Sequence, residues 1–428
     1  MKNVNTKASW YPWGVVGVLW VVAFLNYLDR ILITSMRDPI VKEFTLDDAQ
    51  FGLLTSVFLW SYGFLSPFGG YLADKYSRKK VIVFSVAVWS AVTVWTGFVS
   101  SFQEMIVARI FMGISEAFYI PAALAMISDY HRGRTRSLAT GIHFSGLYTG
   151  LALGGVGGFI AEWWGWRYGF QVFGIFGCLY AVFILFYLKD KSKEPVNSLT
   201  PIDNLEPGDS LGRVESRPVI AVSEPITFLS SMRLILNNRS FLVLLFYFVM
   251  LGVANWLIYG WLPTFLKDQF NLSLGEAGLS ATGYVQIGSF IGVIVGGILA
   301  DRWFRTNQRS RLYMIIIGFS VGAPVLFLMS STYVFGIAIV AMIAFGLARG
   351  FNDSNLMPIV HQVIDNRYVA TGYGVLNFLS TIVGGLMVYV GGALKDAQID
   401  LSVIYKGAAV LLLIATWSLF AVKIKKDQ

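Results

Sequence analysis

Charge is scarce in this chain: of its 428 residues 14% are Asp, Glu, Lys or Arg, against about 25% in an ordinary soluble domain. With 56% apolar residues and a mean hydropathy of +0.63, a soluble globular protein is excluded. Cysteine is nearly missing. The lone Cys178 lies in an apolar run and has no intrachain disulfide partner, and three histidines without a cysteine cluster offer no zinc-type spacing. Nucleotide loops, metal-ligand sets and nucleophile constellations are lacking too, so neither an enzyme nor a metal or organic cofactor is expected. The polar first dozen residues run straight into a full-length apolar segment, which predicts a retained first helix and no cleaved signal peptide.

What the chain does have is long apolar runs. Twelve of them, at 14–36, 49–73, 80–101, 103–129, 135–161, 167–188, 240–265, 275–301, 311–330, 333–360, 368–394 and 402–423, approach the roughly 20 residues a spanning helix needs. They predict an all-α membrane protein of two six-helix bundles, residues 1–188 and 240–428, in a multi-pass arrangement. Residues 189–239 are rich in Pro, Ser and charge and read as a cytoplasmic linker. Trp10, Tyr11 and Trp13 suit an interfacial aromatic belt. The net charge of +8 would suit nucleic acid, but its placement points elsewhere. Most of the 33 lysines and arginines fall at the N-terminus, the even-to-odd loops and the C-terminus, as the positive-inside rule requires of cytoplasmic segments. Both termini are therefore expected in the cytoplasm, with a lipid bilayer and no nucleic acid as partner.

The two halves repeat each other. Gly70-Tyr-Leu-Ala-Asp74-Lys75 after the second run returns as Gly297-Ile-Leu-Ala-Asp301-Arg302 after the eighth. Arg136-Ser-Leu-Ala-Thr-Gly141 returns as Arg367-Tyr-Val-Ala-Thr-Gly372. Two parallel six-helix repeats with matched loops predict a substrate site near the midplane, between halves that rock to expose it alternately to either side.

The second loop, Gly70-x-x-x-Asp74-Lys75-x-x-Arg78-Lys79, resembles the signature loop of the major facilitator superfamily, with Ser77 where that pattern usually has glycine. A short turn that sets an acid and several cations at helix ends suits conformational gating by Gly70, Asp74, Arg78, Gly297, Asp301 and Arg302. Within the superfamily, Asn26-Tyr27-Leu28-Asp29-Arg30, Arg109, Gly113-Ile-Ser-Glu116-Ala and Gly374-Val-Leu-Asn377-Phe378 resemble the anion:cation symporter family. That family includes carriers of galactonate, hexuronate and glucarate and the sialic-acid exporter sialin. The first-half stretch around residues 26–30 and Gly52-Leu-Leu-Thr-Ser56 also resembles spinster-type lysolipid carriers.

Charges inside apolar spans are costly unless they face a cavity and find a partner. Asp29, Arg30 and Arg109 lie roughly 9–11 Å from the outer ends of their spans at 1.5 Å per residue, so they can meet. Arg109 and Glu116, seven residues apart, share one face of the fourth span. The expectation is that Asp29 and Glu116 take up protons and compete for Arg109, the alternative for Asp29 being a permanent ion pair. Arg30 does not face its neighbour Asp29 on a helix and is expected to be the freer cation, available to a substrate carboxylate, as the resemblance also implies. Arg349 and Asp353 are spaced as an i,i+4 pair, and two readings stand open: a self-satisfied pair, or a second guanidinium for the substrate. Tyr62 and Asn377 match family positions that the resemblance assigns to substrate binding, whereas Leu147 stands where galactonate carriers have glutamine. His143 is read as either a proton carrier or a hydrogen-bonded core residue. Gly146, Gly150, Gly154 and Gly158 form a helix-packing stripe. Gly155 stands where the superfamily's antiporter motif usually has proline.

The resemblance thus implies an inner-membrane symporter that takes up a hexuronate, aldonate or sialic acid with protons, and with no sign of obligate oligomerisation in the sequence a monomer is expected. A spinster-like amphiphile carrier and a non-transporting membrane sensor are the rivals. Asn352, Asp353, Ser354 and Asn355 argue for a tenth span too polar to line a lipid-tail channel.

Overall fold

The computed structural model describes residues 10–131, 135–190, 228–365 and 368–424, with a few side chains inside them, Asp74 among them, left aside. Most of the linker and Arg367 lie outside the described residues. No strand occurs among those described; the helices are α1 (Tyr11–Leu32), α2 (Arg37–Phe44), α3 (Asp48–Lys75), α4 (Arg78–Thr96), α5 (Phe102–Glu116), α6 (Tyr119–Tyr130), α7 (Arg136–Leu153), α8 (Gly157–Trp164) and α9 (Trp166–Tyr187) in the first half. A short α10 (Phe228–Leu236) precedes α11 (Arg239–Phe270), α12 (Leu274–Phe304), α13 (Ser310–Met329), α14 (Phe335–Val363), α15 (Val369–Asp396) and α16 (Leu401–Ser418). Eleven rods among the described residues are long and apolar enough to cross a membrane. At 28 residues, α3 is as long as they are.

Two of the spans read as continuous from sequence, the fourth and the fifth, are broken, and the first changes to a 3-10 turn at its end. A 3-10 turn, Ile33–Met36, separates α1 from α2, and another, Gly154–Val156, separates α7 from α8. The fourth span is interrupted between Glu116 and Tyr119. Pro121 lacks an N–H and its ring excludes the carbonyl four residues back, at Ala117, which stops α5 there. Glu116 is consequently the last residue of a helix inside the bundle.

Sequence repetition carries over into helix starts. Both α3 and α12 begin with a capping box, Asp47 with Gln50 and Ser273 with Glu276, in which side chain and backbone exchange hydrogen bonds. Each start receives a further cap from the opposite half. Asp396 accepts from the N–H groups of Asp48 (2.9 Å) and Ala49 (2.8 Å). Glu162 accepts from those of Leu274 (2.5 Å) and Gly275 (3.2 Å).

These caps lie at the far end of the bundle, opposite the near end where α1 starts and α16 finishes. Lys267 pairs with Asp38 at 2.6 Å and Lys395 with Asp48 at 2.8 Å, both across the halves, while Arg37 also holds Asp48. The backbones of α7–α8 and α12 touch: a Cβ on Gly155 would collide with the carbonyl of Gly278. Further in, Ser56 donates to the Gly385 carbonyl at 2.6 Å and Trp60 to that of Ile382 at 3.1 Å, zipping α3 to α15. The far end is thus closed.

Candidate substrate and coupling site

Asp29 and Arg30 occupy the last turn of α1 and point to different neighbours, as adjacent helical residues must. Arg30 Nε donates to Glu116 Oε2 at 2.7 Å, with the side chains 3% and 0% exposed. Its guanidinium carbon sits 4.5 Å from the Tyr27 ring centre and 4.3 Å from that of Tyr62. Asp29 turns to α4, where Thr93 donates to it at 3.4 Å.

Arg109, wholly buried, donates from Nε to the Leu54 carbonyl at 3.1 Å and meets the Met112 sulfur at 3.2 Å. The pairing therefore differs from that expected. Glu116 is held by Arg30 and not by Arg109, and Arg30 is not the free cation. The reason is local: Gly113 brings α5 against Phe58 and Ser61 of α3, so the Arg109 stem meets α3 backbone. The α5 terminus leaves Glu116 facing α1. Asp29 Oδ1, Arg30 Nη2, Arg109 Nη2 and Glu116 Oε1 are buried without a hydrogen-bond partner. Such groups at membrane depth mark a functional site.

Towards the near end the halves part around a cavity of about 600 Å³. Its polar lining is Tyr27, Ser145, Tyr148, Arg349, Asp353 and Tyr373; Phe144, Phe290, Val293, Ile294, Leu356 and Met357 are among the apolar remainder. Tyr148 donates to Asp353 Oδ2 at 3.1 Å, bridging the halves, and Asn352 Nδ2 donates to Asp353 Oδ1 at 3.1 Å. Arg349 Nε lies 3.8 Å from Asp353 Oδ2, beyond hydrogen-bonding reach. The guanidinium stacks 5.1 Å from the Tyr259 ring centre, and its Nη1 is buried without a partner.

Of the four residues read from sequence as substrate ligands, Arg349 is on the cavity wall. Arg30 packs on its Tyr27 and on Tyr62, and half-buried Asn377 lies one turn beyond Tyr373 on α15. Sequence reasoning passed over Tyr148 and Tyr373. The spacing of Gly141, Ser145 and Tyr148, four and three residues, was an available signal for a cavity-facing stripe. His143 packs inside the first half, 3.0 Å from the Tyr119 hydroxyl, which itself donates to the Leu19 carbonyl.

The polarity of α14 is distributed differently from the sequence reading. Asn352 accepts from Tyr247 at 2.9 Å, Asn355 donates to the Phe351 carbonyl, and Ser354 bonds back to Gly350. Asn352, Ser354 and Asn355 thus find their partners within the second half, and of the four only Asp353 lines the cavity.

The residues expected from sequence to gate lie at the near end. Arg78 pairs with Asp129 and donates to the Ala125 carbonyl at 3.1 Å, while Asp301 pairs with Arg311 at 2.9 Å. Both pairs stay within one half. Arg302 is exposed, and Gly297 lies against Ser354. The Gly70 and Asp74 side positions are outside the described residues.

Comparisons with known proteins agree with this architecture. The chain is 23% identical over its full length, and over 97% of the relative, to the "Probable galactarate/D-glucarate transporter GarP" of Escherichia coli K12. It is 28% identical over 75% of its length to "Protein spinster homolog 1" of Xenopus laevis, 62% of which is covered. A crystal structure of a bacterial homolog of the human lysosomal transporter spinster, inward-facing and unoccupied, superposes with a TM-score of 0.76 at 20% identity over 97% of both chains. The profile of the Major Facilitator Superfamily matches residues 19–388, and the chain belongs to that superfamily of membrane transporters.

Proposed function

We propose that this transporter is a proton-coupled symporter that takes up an acidic sugar, such as a hexuronate, aldonate or sialic acid, across the cell's inner membrane by alternating access. The observation that carries the reading is the Arg30–Glu116 pair, buried beside a cavity between the halves. It supplies a carboxylate able to take a proton and a guanidinium able to take a carboxylate. The name of the Escherichia coli relative supports a sugar acid as substrate.

In the proposed cycle the halves open at the far end, towards the outside, and protons reach Asp29 and Glu116. Neutral Glu116 loosens Arg30, which turns past Tyr27 and Tyr62 to the incoming carboxylate. Arg109 stays as the fixed positive charge that restores both acids to their ionised form once the site faces inward. Bound substrate draws Arg30 and Arg349 together, so occupancy favours closure of the far end. Gly70, Asp74, Arg78, Gly297, Asp301 and Arg302 would then latch the near end in the opposite state. The basic loops support a cytoplasmic near end, by the positive-inside rule.

A second reading has its own support. Much of the cavity lining is apolar, and Asn352, Ser354 and Asn355, which are not among its lining residues and are bonded elsewhere, do not count against a lipid tail. In that reading the same charges carry the headgroup of a lysolipid. Uptake of glucuronate, galactonate, N-acetylneuraminate and a lysolipid into proteoliposomes under an inward proton gradient separates the two. Protonophore-sensitive accumulation of an acid sugar is expected; movement of lysolipid alone would overturn the symporter reading.

A further inference from the structure

Resting on the organic-anion reading above, we propose that Asp353 is the resident counter-charge of the empty carrier: it stands in for the substrate's carboxylate beside Arg349 when the site returns unloaded, so that net transport depends on it and exchange does not.

Arg349 is the middle residue of α14, where an unmatched charge in a membrane costs most. Among the described residues, it and Asp353 are the charged side chains that line the cavity. They form a loose pair. Asp353 Oδ2 lies 3.8 Å from Arg349 Nε and accepts from Tyr148 at 3.1 Å, while its Oδ1 accepts from Asn352, which Tyr247 fixes in turn. Both carboxylate oxygens are thus held by donors other than the guanidinium, and Arg349 Nη1 is buried without a partner. The charges attract at that distance, but the N–H groups stay open to an incoming carboxylate. A pair built only to hold the helix would close to a hydrogen bond, because an unmade one at membrane depth is costly.

A carrier must pass its site across the membrane both loaded and empty. Between the two open states the cavity is sealed from both sides, and a charge without a counter-charge in that dry space raises the barrier. On the loaded passage the substrate's carboxylate occupies the Arg349 fork, and Asp353 keeps the hydrogen bonds of Tyr148 and Asn352. On the return the site is empty, and Asp353 is the anion left to match Arg349. Tyr148 belongs to the first half, so the bond that steadies this carboxylate also spans the empty cavity from one half to the other. The pair is therefore a requirement of the unloaded step and a bystander in the loaded one.

Exchange uses only the loaded passage, whereas net uptake needs the empty return as well. With the full chain in proteoliposomes, both are measured for glucuronate, galactonate and N-acetylneuraminate, exchange at equal pH on the two sides and net uptake under an inward proton gradient. The variants are Asp353→Asn and the double change Arg349→Gln with Asp353→Asn, each first checked to elute as one species. The double variant removes the pair where the single one breaks it, so it is expected to fold even where the single one does not.

Wild type is expected to show both activities. Asp353→Asn keeps exchange within about twofold of wild type, while its net uptake falls at least tenfold. The double variant, neutral again when empty, recovers the wild-type ratio of net uptake to exchange to within about threefold, whatever substrate affinity it has lost with Arg349. Equal losses of exchange and net uptake in Asp353→Asn, as from a damaged helix, would overturn the proposal, as would net uptake at the wild-type level or a double variant that exchanges without net uptake. A wild type that moves none of the three acids would overturn the organic-anion reading itself, and this role of Asp353 with it.

Discussion

Arg30 on α1 and Glu116 at the end of α5 form a 2.7 Å ion pair closed to solvent on both sides. Breaking a buried pair from one side leaves an unmatched charge and costs about 3–5 kcal/mol. Protonation of Glu116 does the same without a mutation, which is how proton uptake can free Arg30. Glu116→Gln copies the protonated acid in shape and charge. Accumulation driven by a proton gradient should then fall to the level of empty vesicles, while exchange of internal for external substrate persists. Asp29→Asn is expected to behave alike. Gradient-driven uptake at the wild-type level in either variant would remove that acid from the coupling.

Arg30→Lys keeps a positive charge for Glu116 but discards the second edge of the guanidinium, whose Nη2 is without a partner. Its effect belongs to substrate and not to stability. The KM for the transported anion should rise at least tenfold, equivalent to about 1.4 kcal/mol, with the unfolding temperature within a few degrees of wild type. Transport assays beside thermal denaturation check this, and an unchanged KM would take Arg30 out of the substrate site.

The charged residues of this site were legible before the fold, because an arginine or an acid inside an apolar run has few reasons to be there. Their pairing was not. Seven residues between Arg109 and Glu116 put both on one face of a continuous helix, but the helix ends at Glu116, and the stop depends on Pro121 five residues later. A local rule gave the break; which neighbour Glu116 would then face is a matter of tertiary packing, set by the contact of Gly113 with α3. The same holds for α14. Composition showed four polar residues in a row, but only the packing against α11 showed that Asn352 is spent on Tyr247. The halves' repetition was plain in the loop sequences, whereas the caps from Asp396 and Glu162 reach between segments more than a hundred residues apart.

Gly155 and Gly278 allow α7–α8 and α12 to meet backbone to backbone at the closed far end. Gly155→Leu would wedge that contact while leaving each half's own packing in place. The far end should then stay open, so a cysteine placed at Thr282, buried against Ala152 in the closed form, becomes reactive to a membrane-impermeant maleimide. Transport should fall below about a tenth of wild type although the protein still reaches the membrane. An unreactive cysteine would show that the contact does not limit opening.

Asp396 and Glu162 cap helix starts in the opposite halves, each with two N–H groups, at positions the internal repeat relates. A carboxylate at a helix N-terminus gains both hydrogen bonds and the favourable end of the helix dipole, together worth about 1 kcal/mol. Both are lost when the halves part at that end, so they stabilise one state of a two-state equilibrium and not the fold of either half. Asp396→Ala with Glu162→Ala should shift the balance towards far-end opening by about 2 kcal/mol, roughly 30-fold. Spin labels at Phe98 and Tyr333, exposed residues of opposite halves at that end, in a Cys178→Ser background, report the change as a longer-distance population. The single variants should give intermediate populations, since the two caps share no partner. A distance distribution unchanged in the double variant would mean that the ion pairs Lys267–Asp38 and Lys395–Asp48 hold the far end by themselves.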